Sequence, residues 1–242
     1  LGVKAKIMSL TQALNSAISG LNTAQARISI TSSNISNVNT PGYSKKIAGQ
    51  ETLVLDGVGA GSQIGDIYRN VNEGLVREMR GELGKAGREE VRFEFFQRIQ
   101  TLFGTPQSDG AISQRISDLA DAFEQLGNTP EQNSPKVEVI ESAIQVMDAF
   151  ENLSEQIQHM RGDIDKNISD EVDSANVLLN EIAELNTDVV RQKNLGQPTT
   201  ELEDQRDLKI NELSKIMNVT TYNRGDGSMV LFTANGSRTL LD

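Results

Sequence analysis

The chain contains no cysteine and no tryptophan, a single histidine, His159, and only five prolines in 242 residues. Without cysteine there is no disulfide, no thiolate nucleophile and no cysteine-based zinc site. With one histidine there is no histidine dyad. A cysteine-free chain suits an intracellular protein, and it also spares an exported one oxidative folding. Aromatic residues make up 4% and hydrophobic residues 37%. A compact enzyme core carries more large side chains; long helices need fewer, because each buries only a stripe. No run of 18 apolar residues occurs, so no transmembrane helix and no membrane insertion is expected. Residues 1–7 carry two lysines with no apolar stretch of signal-peptide type behind them, so no cleaved secretory signal is expected. Met8 reads as the more natural start, with 1–7 an upstream extension or cloning remnant. The net charge of −11 and pI near 4.7 disfavour nucleic acid as a partner, and basic residues occur as short pairs such as Lys45–Lys46. Mutual repulsion also favours a soluble monomer.

What is present is periodicity. Leu10, Leu14, Ala17, Leu21, Ala24, Ile28, Thr31 and Ile35 recur at alternating spacings of four and three, a heptad seam with one polar member, Thr31. The spacing predicts a helix over 9–35 with Ser9 as its N-cap. Its other faces carry Asn15, Ser16, Ser19, Asn22, Thr23, Gln25 and Ser29, with Arg27 the only full charge. A solvated face usually carries Glu and Lys; this one suits polar packing against neighbours. The helix reads either as an ordinary surface helix of a bundle or as an assembly helix.

Residues 36–69 read as irregular or β-like, with Pro41–Gly42 a turn and short strands with glycine turns over 51–69. The DGVGAG run there lacks the Lys–Ser/Thr ending of a phosphate-binding loop and opens no helix. Helical spacing resumes over 70–103, weakened by Gly74, Gly81, Gly84 and Gly87, each costing about 1 kcal/mol relative to Ala. A shorter helix follows over 108–127, then a loop at Asn128–Pro130 and Pro135. From Lys136 to about Leu195 a three/four rhythm runs without proline, a helix of roughly 80–90 Å at 1.5 Å per residue. A helix over 199–218 returns antiparallel, with Thr200 and Glu203 offering a capping box. From 219 the pattern alternates around Gly225–Asp226–Gly227 and Asn235–Gly236, which are hairpin signals. Two or three strands begin a β-rich domain, truncated or continued beyond residue 242. The expected fold is mainly α: a long-helix bundle or coiled-coil-like rod with a β-like linker and the start of a β-rich domain. The expected divisions are 1–7, 8–69 (core helix, Asn-rich joint and linker), 70–218 (helical bundle) and 219–242.

No catalytic constellation emerges, and neither a metal nor a cofactor is expected. His159 reads as a helix-face or core histidine. Carboxylates such as Glu201, Glu203 and Asp204 sit among Lys and Arg on predicted helices, as solvated faces do. Asp204–Gln205–Arg206–Asp207 reads as a helix face with local or interhelical ion pairs rather than an acid–base cluster. The Arg224–Ser228 stretch lacks the ligand spacing of an EF-hand.

Two groups of residues carry a resemblance. The amphipathic helix followed by Asn34, Asn37, Asn39, Thr40, Gly42 and Tyr43 resembles the N-terminal signature of flagellar rod, hook and hook-associated proteins. Within that axial family, Glu181, Ile182, Leu185 and Asn186, with Asp204, Gln205, Arg206 and Asp207 some twenty residues on, are similar to the markers of the hook–filament junction proteins. "GYSKK" stands where GYSRQ is commoner, "ELEDQRD" where LLDQRD is usual, and the family's C-terminal helix does not occur within the 242 residues. The resemblance implies a non-enzymatic structural subunit of the flagellum, outside the cell, exported through the flagellar type III channel. It implies a homo-oligomeric ring, hook protein and a second junction protein as neighbours, and contacts with the export apparatus and a chaperone. It implies that the seam Leu10, Leu14, Ala17, Leu21, Ala24, Ile28 and Ile35 packs in the ring core. The alternatives are another axial protein of hook or rod type, in which a mostly β structure would follow residue 70, or an enzyme-bearing or adhesin-like variant.

Overall fold

The computed structural model describes residues 2–55, 58–104, 111–234 and 236–242. Among these are five helices and five strands: α1 (Gly2–Ser36), β1 (Lys46–Leu55), β2 (Val58–Arg69), α2 (Glu73–Phe103), α3 (Ile112–Asn128), α4 (Asn133–Asn194), α5 (Thr200–Ile216), β3 (Val219–Asn223), β4 (Met229–Thr233) and β5 (Thr239–Leu241). The fold is mainly α, as the periodicity predicts. None of the described helices is long and apolar enough to cross a membrane.

The chain divides into two compact units. One combines Leu1–Lys85 with Ala175–Asp242, and the other is Ala86–Ser174. In the first, the C-terminal part of α4, α5 and the antiparallel sheet β3-β4-β5 share one core. Ile182, Ile210, Leu213 and Leu231 are fully buried there, with Met229 and Val219 beside them. Fully burying side chains of this size stabilises by about 1.5–3 kcal/mol each. The strands of 219–242 therefore fold onto α4 and α5. Their first turn forms as expected: the Arg224 amide donates to Ser228 O and the Gly227 amide to Arg224 O. Of the second turn signal, Asn235 lies outside the described residues; Gly236 has φ 64°.

Several boundaries differ from expectation for physical reasons. α1 begins at Gly2, so Ser9 is not an N-cap; the helix simply continues through it. The linker holds two long strands rather than short ones, paired antiparallel from Lys46↔Arg69 to Leu55↔Val58. Gly59, Gly61 and Gly65 lie inside β2; the reversal falls at 56–57, outside the described residues, as does part of the DGVGAG run. Pro135 is in the first turn of α4, where its missing N–H costs nothing. The N-cap of α5 is Thr199, not Thr200. Its hydroxyl donates to the Glu203 carboxylate (2.7 Å), but its side chain accepts no helix N–H, so the expected capping box does not form. One glycine of α2 is not a mere weakness: a Cβ at Gly84 would stand 3.1 Å from Ser214 O of α5, so the missing side chain permits close helix packing there.

In the second unit, Ala111 and Ala122 are buried, Arg115 donates to Gln145 (3.4 Å), and Arg98 pairs with Glu94 (2.7 Å) and Asp163 (3.6 Å). His159 is exposed on α4, at a cleft shared with Met160 and Leu102. No group of three His, Asp or Glu able to hold a metal occurs among the described residues.

Candidate functional site, an exposed seam above an ionic joint

The two faces of α1 have opposite fates. In heptad terms Leu14, Leu21, Ile28 and Ile35 occupy position a, and Leu10, Ala17, Ala24 and Thr31 position d. All eight are exposed, the five large ones by 59–73%. The polar c and f positions instead lie on the β1–β2 hairpin. The Ser62 amide donates to Ser19 Oγ (3.2 Å), Thr23 Oγ1 donates to Ser62 O (3.1 Å), and Gln12 Nε2 donates to Gly59 O (3.3 Å). Arg27 reaches Gln50 Oε1 (3.2 Å). Contact is close because β2 has no side chain at Gly61. A Cβ there would overlap Ser19 Oγ and come within 3.1 Å of Ser16 Cα, and its φ of +131° suits glycine alone. The polar face thus packs within the chain, not against a neighbouring subunit as expected, and the apolar seam is left uncovered.

Below the seam, the Asn-rich stretch ends α1 and turns the chain. Asn34 acts as a clamp: its Nδ2 donates to Lys46 O (2.8 Å), and its Oδ1 accepts from Lys46 N (2.9 Å) and Tyr43 Oη (2.9 Å). Asn37 Nδ2 donates to Ser33 O (3.0 Å) and its Oδ1 accepts from Thr40 Oγ1 (3.2 Å). The Asn34 and Asn37 side chains therefore bond inside the subunit, whereas Asn39 is exposed. Gly42, at φ +82°, lies where a Cβ would press on Leu208 of α5 at 3.2 Å. The Lys46 ammonium sits 4.3 Å from the Tyr43 ring centre, a cation–π contact.

The turn delivers cations to α5. Asp204 is buried, not on a solvated face. It accepts from Ser44 N (3.1 Å), Ser44 Oγ (2.5 Å) and Arg69 Nη1 (2.9 Å), with Lys46 at 3.6 Å. Arg69 also binds Asp207 (2.7 Å) and Glu203 (2.9 Å). Arg80 of α2 binds Asp207 (2.8 Å), Asn211 (2.9 Å) and Thr221 (3.3 Å). Lys46 pairs with Glu201. Burial opposes the charge on Arg69, but the field of Asp207 and the hydrogen bonds to Asp204 and Asp207 outweigh it and raise its pKa. Every cation of this joint except Arg206 comes from residues 46–80, and every anion from α5.

Arg206 faces the other way. It donates to Asn186 Oδ1 (2.9 Å) and Gly227 O (2.8 Å), while its Nε is buried without a partner. Burial lowers its pKa against the pull of Asp207 and Glu203. Asn186 repeats the clamp of Asn34: Nδ2 donates to Met229 O (2.7 Å) and Oδ1 accepts from Met229 N (3.0 Å). Ile182 is core, Leu185 half-buried, and Glu181 pairs with Lys209 (3.0 Å), whose pKa is raised first by that bond. Gln205 is exposed. The structure thus joins the two marker groups through Asn186 and Arg206, and joins the axial motif to Asp204 through Ser44 and Lys46.

The family described as the flagellar hook-associated protein FlgK helical domain matches residues 96–242, more than half of the chain. The chain belongs to the FlgK family. A second family, described as the flagella basal body rod protein, matches residues 14–43, the α1 seam and the Asn-rich turn. The chain is similar to flagellar hook-associated protein 1 of Salmonella typhimurium, 25% identical over 94% of this chain and 42% of that protein. It is similar to that of Bacillus subtilis, 22% identical over 93% and 46%. The chain therefore spans less than half the length of these curated relatives. The fold resembles the flagellar hook junction protein FlgK from Burkholderia pseudomallei, with TM-score 0.60 and 18% identity over 69% of this chain and 29% of that one. FlgK-family proteins are structural components of the flagellum.

Sequence reasoning placed Ser19 and Thr23 on a polar packing face without their partner, and it singled out none of Ser44, Arg69, Arg80 and Gly61. The local signal for the contact of that face with Gly61 was the recurrence of small residues at c and f, with glycines in the strand opposite.

Proposed function

We propose that this chain is a non-enzymatic structural subunit of the bacterial flagellum, located outside the cell at the junction of hook and filament. The observation that carries this reading is the division of α1: its polar face is satisfied by its own hairpin, while an apolar heptad seam about 39 Å long at 1.5 Å per residue is exposed over Leu10–Ile35. An exposed apolar stripe of this regularity marks an interaction surface. The ionic joint suits a load-bearing role, since it ties the end of α1 to α5 through several mutually supporting contacts. Its carboxylates are engaged by Lys46, Arg69 and Arg80, which leaves them poorly placed for acid–base work. The helices after residue 70 favour a junction protein over a hook or rod protein. The subunit assembles as a ring with other flagellar components, hook protein and a second junction protein among them, after export through the type III channel with a chaperone.

The test is complementation of a strain lacking the gene. Leu14→Asp or Leu21→Asp, each on the exposed seam, should abolish swimming while purified protein keeps its helical circular dichroism. Wild-type motility from both variants refutes the assignment of the seam.

A further inference from the structure

The chain has three Asp–Gly bonds, at 56–57, 109–110 and 226–227. The first two lie outside the described residues. The third sits in the Arg224–Ser228 turn between β3 and β4, where two demands conflict. The fold requires glycine at 227: its φ is +95°, and a Cβ there would stand 3.1 Å from Lys193 Cδ and 3.3 Å from Val189 Cγ1 of α4. Yet a glycine after an aspartate leaves its amide nitrogen unshielded, because no side chain hinders the approach of the aspartate carboxyl. In the reaction this allows, the Gly227 nitrogen bonds to Asp226 Cγ, the Cγ–OH bond breaks, and the amide proton leaves with the hydroxyl as water. Water then opens the five-membered imide. Opening at the main-chain carbonyl of Asp226 leaves isoaspartate, with the mass unchanged and the backbone longer by one methylene. Asp226 is exposed, so water reaches it.

We infer that Asp226–Gly227 is a latent isoaspartate site that the turn holds closed, with Ser228 as its principal guard. Asp226 Oδ1 accepts from the Ser228 amide (2.9 Å) and the Ser228 hydroxyl (2.7 Å). This Asx turn fastens the carboxyl to the residue beyond the nitrogen it would have to meet. The Gly227 N–H donates to Arg224 O (3.1 Å). The peptides on either side are fixed from the helices: Lys193 of α4 donates to Gly225 O (2.9 Å), and Arg206 of α5 donates to Gly227 O (2.8 Å). Turning the 226–227 peptide toward the carboxyl therefore disturbs a frame anchored at both ends. The depressed pKa of Asp226, owed first to the Ser228 hydroxyl, acts in the same sense. The acid form is the one that loses water, and its share near neutral pH is reduced. Isomerisation would carry Gly227 O away from Arg206, whose Nε already lacks a partner. The site thus matters to the helix–sheet core, and it is independent of the flagellar reading.

The purified 242-residue chain and its Ser228→Ala variant, matched by circular dichroism, are aged at neutral pH beside a synthetic peptide of residues 219–231. A lone hairpin of that kind does not hold itself together in water. Isoaspartate is counted by enzymatic methylation of its free α-carboxyl, and fragmentation of the tryptic peptide assigns it to Asp226 rather than to Asn235. Each net hydrogen bond that must open slows the step by roughly fivefold. The two Ser228 contacts and the Gly227 contact together predict formation about 100-fold slower in the native chain than in the peptide. Ser228→Ala removes one of the three and should react about fivefold faster than the native chain. A native chain that reacts as fast as the peptide overturns the inference. So does Ser228→Ala reacting at the native rate, which removes Ser228 as the guard.

Discussion

Replacing Asn186 with Ala isolates the contribution of one side chain to the junction of helix and sheet. Its amide satisfies both the N–H and the C=O of Met229, a buried residue at the start of β4. The ladder to β5 reaches only Leu231 and Phe232, so Asn186 stands in for a strand residue that β5 does not supply. In Asn186→Ala two buried backbone groups lose their partners, at about 1–3 kcal/mol each, and Arg206 loses one acceptor while its Nε already has none. Partial hydration of the vacated space reduces the sum, and a loss of about 3–4 kcal/mol is expected, a large share of the ~5–15 kcal/mol that holds a domain together. Asn186→Asp keeps the acceptor for Met229 N and Arg206 but sets oxygen against Met229 O, so about 1–2 kcal/mol should be lost. Guanidinium unfolding followed by circular dichroism gives the loss, and amide exchange at Met229, Val230 and Leu231 locates it. Because Ala86–Ser174 forms a separate compact unit, the transition to fit is the one that loses amide protection in β4. A change below 0.5 kcal/mol, about the scatter of neutral surface substitutions, with unaltered exchange in β4, refutes the clamp.

Gly61→Ala should destabilise the helix–hairpin contact by about 2 kcal/mol or more through overlap with Ser19 and positive φ. Gly59→Ala, with nothing within 4 Å of its Cβ, should stay within about 0.5 kcal/mol; equal melting shifts in the two would sink the close-approach argument. The Asp226 carboxyl, hydrogen-bonded first by the Ser228 hydroxyl and then by its amide, is held below its ordinary 3.8. A depressed folded value means that its support of the Arg224–Ser228 turn is complete above that pH and fades as acid titrates the folded carboxyl. An NMR titration of Asp226 should show the low value in the native protein and a rise part-way toward the ordinary one in Ser228→Ala, which keeps only the amide bond, whereas equal values would remove the hydroxyl's role.

The helices were legible because burial and heptad repetition are local patterns. Leu10 to Ile35 and the three/four rhythm before Leu195 can be read by spacing alone, to within a few residues at the ends. The joint was only half legible. Asp204 and Asp207 share a helix face at a spacing of three, which announces ion pairing, but their partners Arg69, Arg80 and Lys46 lie 127 to 158 positions earlier, where no local pattern points to them. The solvated-face reading of Asp204 failed for that reason: burial of a carboxylate depends on cations that arrive from another element. The direction of the polar face of α1 was equally hidden. Small hydroxyl side chains at c and f fit a backbone at close range, yet only the glycine at 61 in β2 reveals that the backbone is the chain's own.

The separation of charges between the two sides of the joint bears on the order in which the chain can fold. Lys46, Arg69 and Arg80 find their carboxylates on α5, so these three cations lack those partners until α5 is in place. Bringing such distant segments together costs about 4 kcal/mol of loop entropy before any contact repays it. An 89-residue stretch, Ala86–Ser174, can meanwhile organise itself first. The unit bearing the exposed seam draws on both ends of the chain and, being rich in distant contacts, is expected to be the slower of the two to form. Every carboxylate of the joint lies after Thr200, so no part of the joint's ion pairing can precede α5.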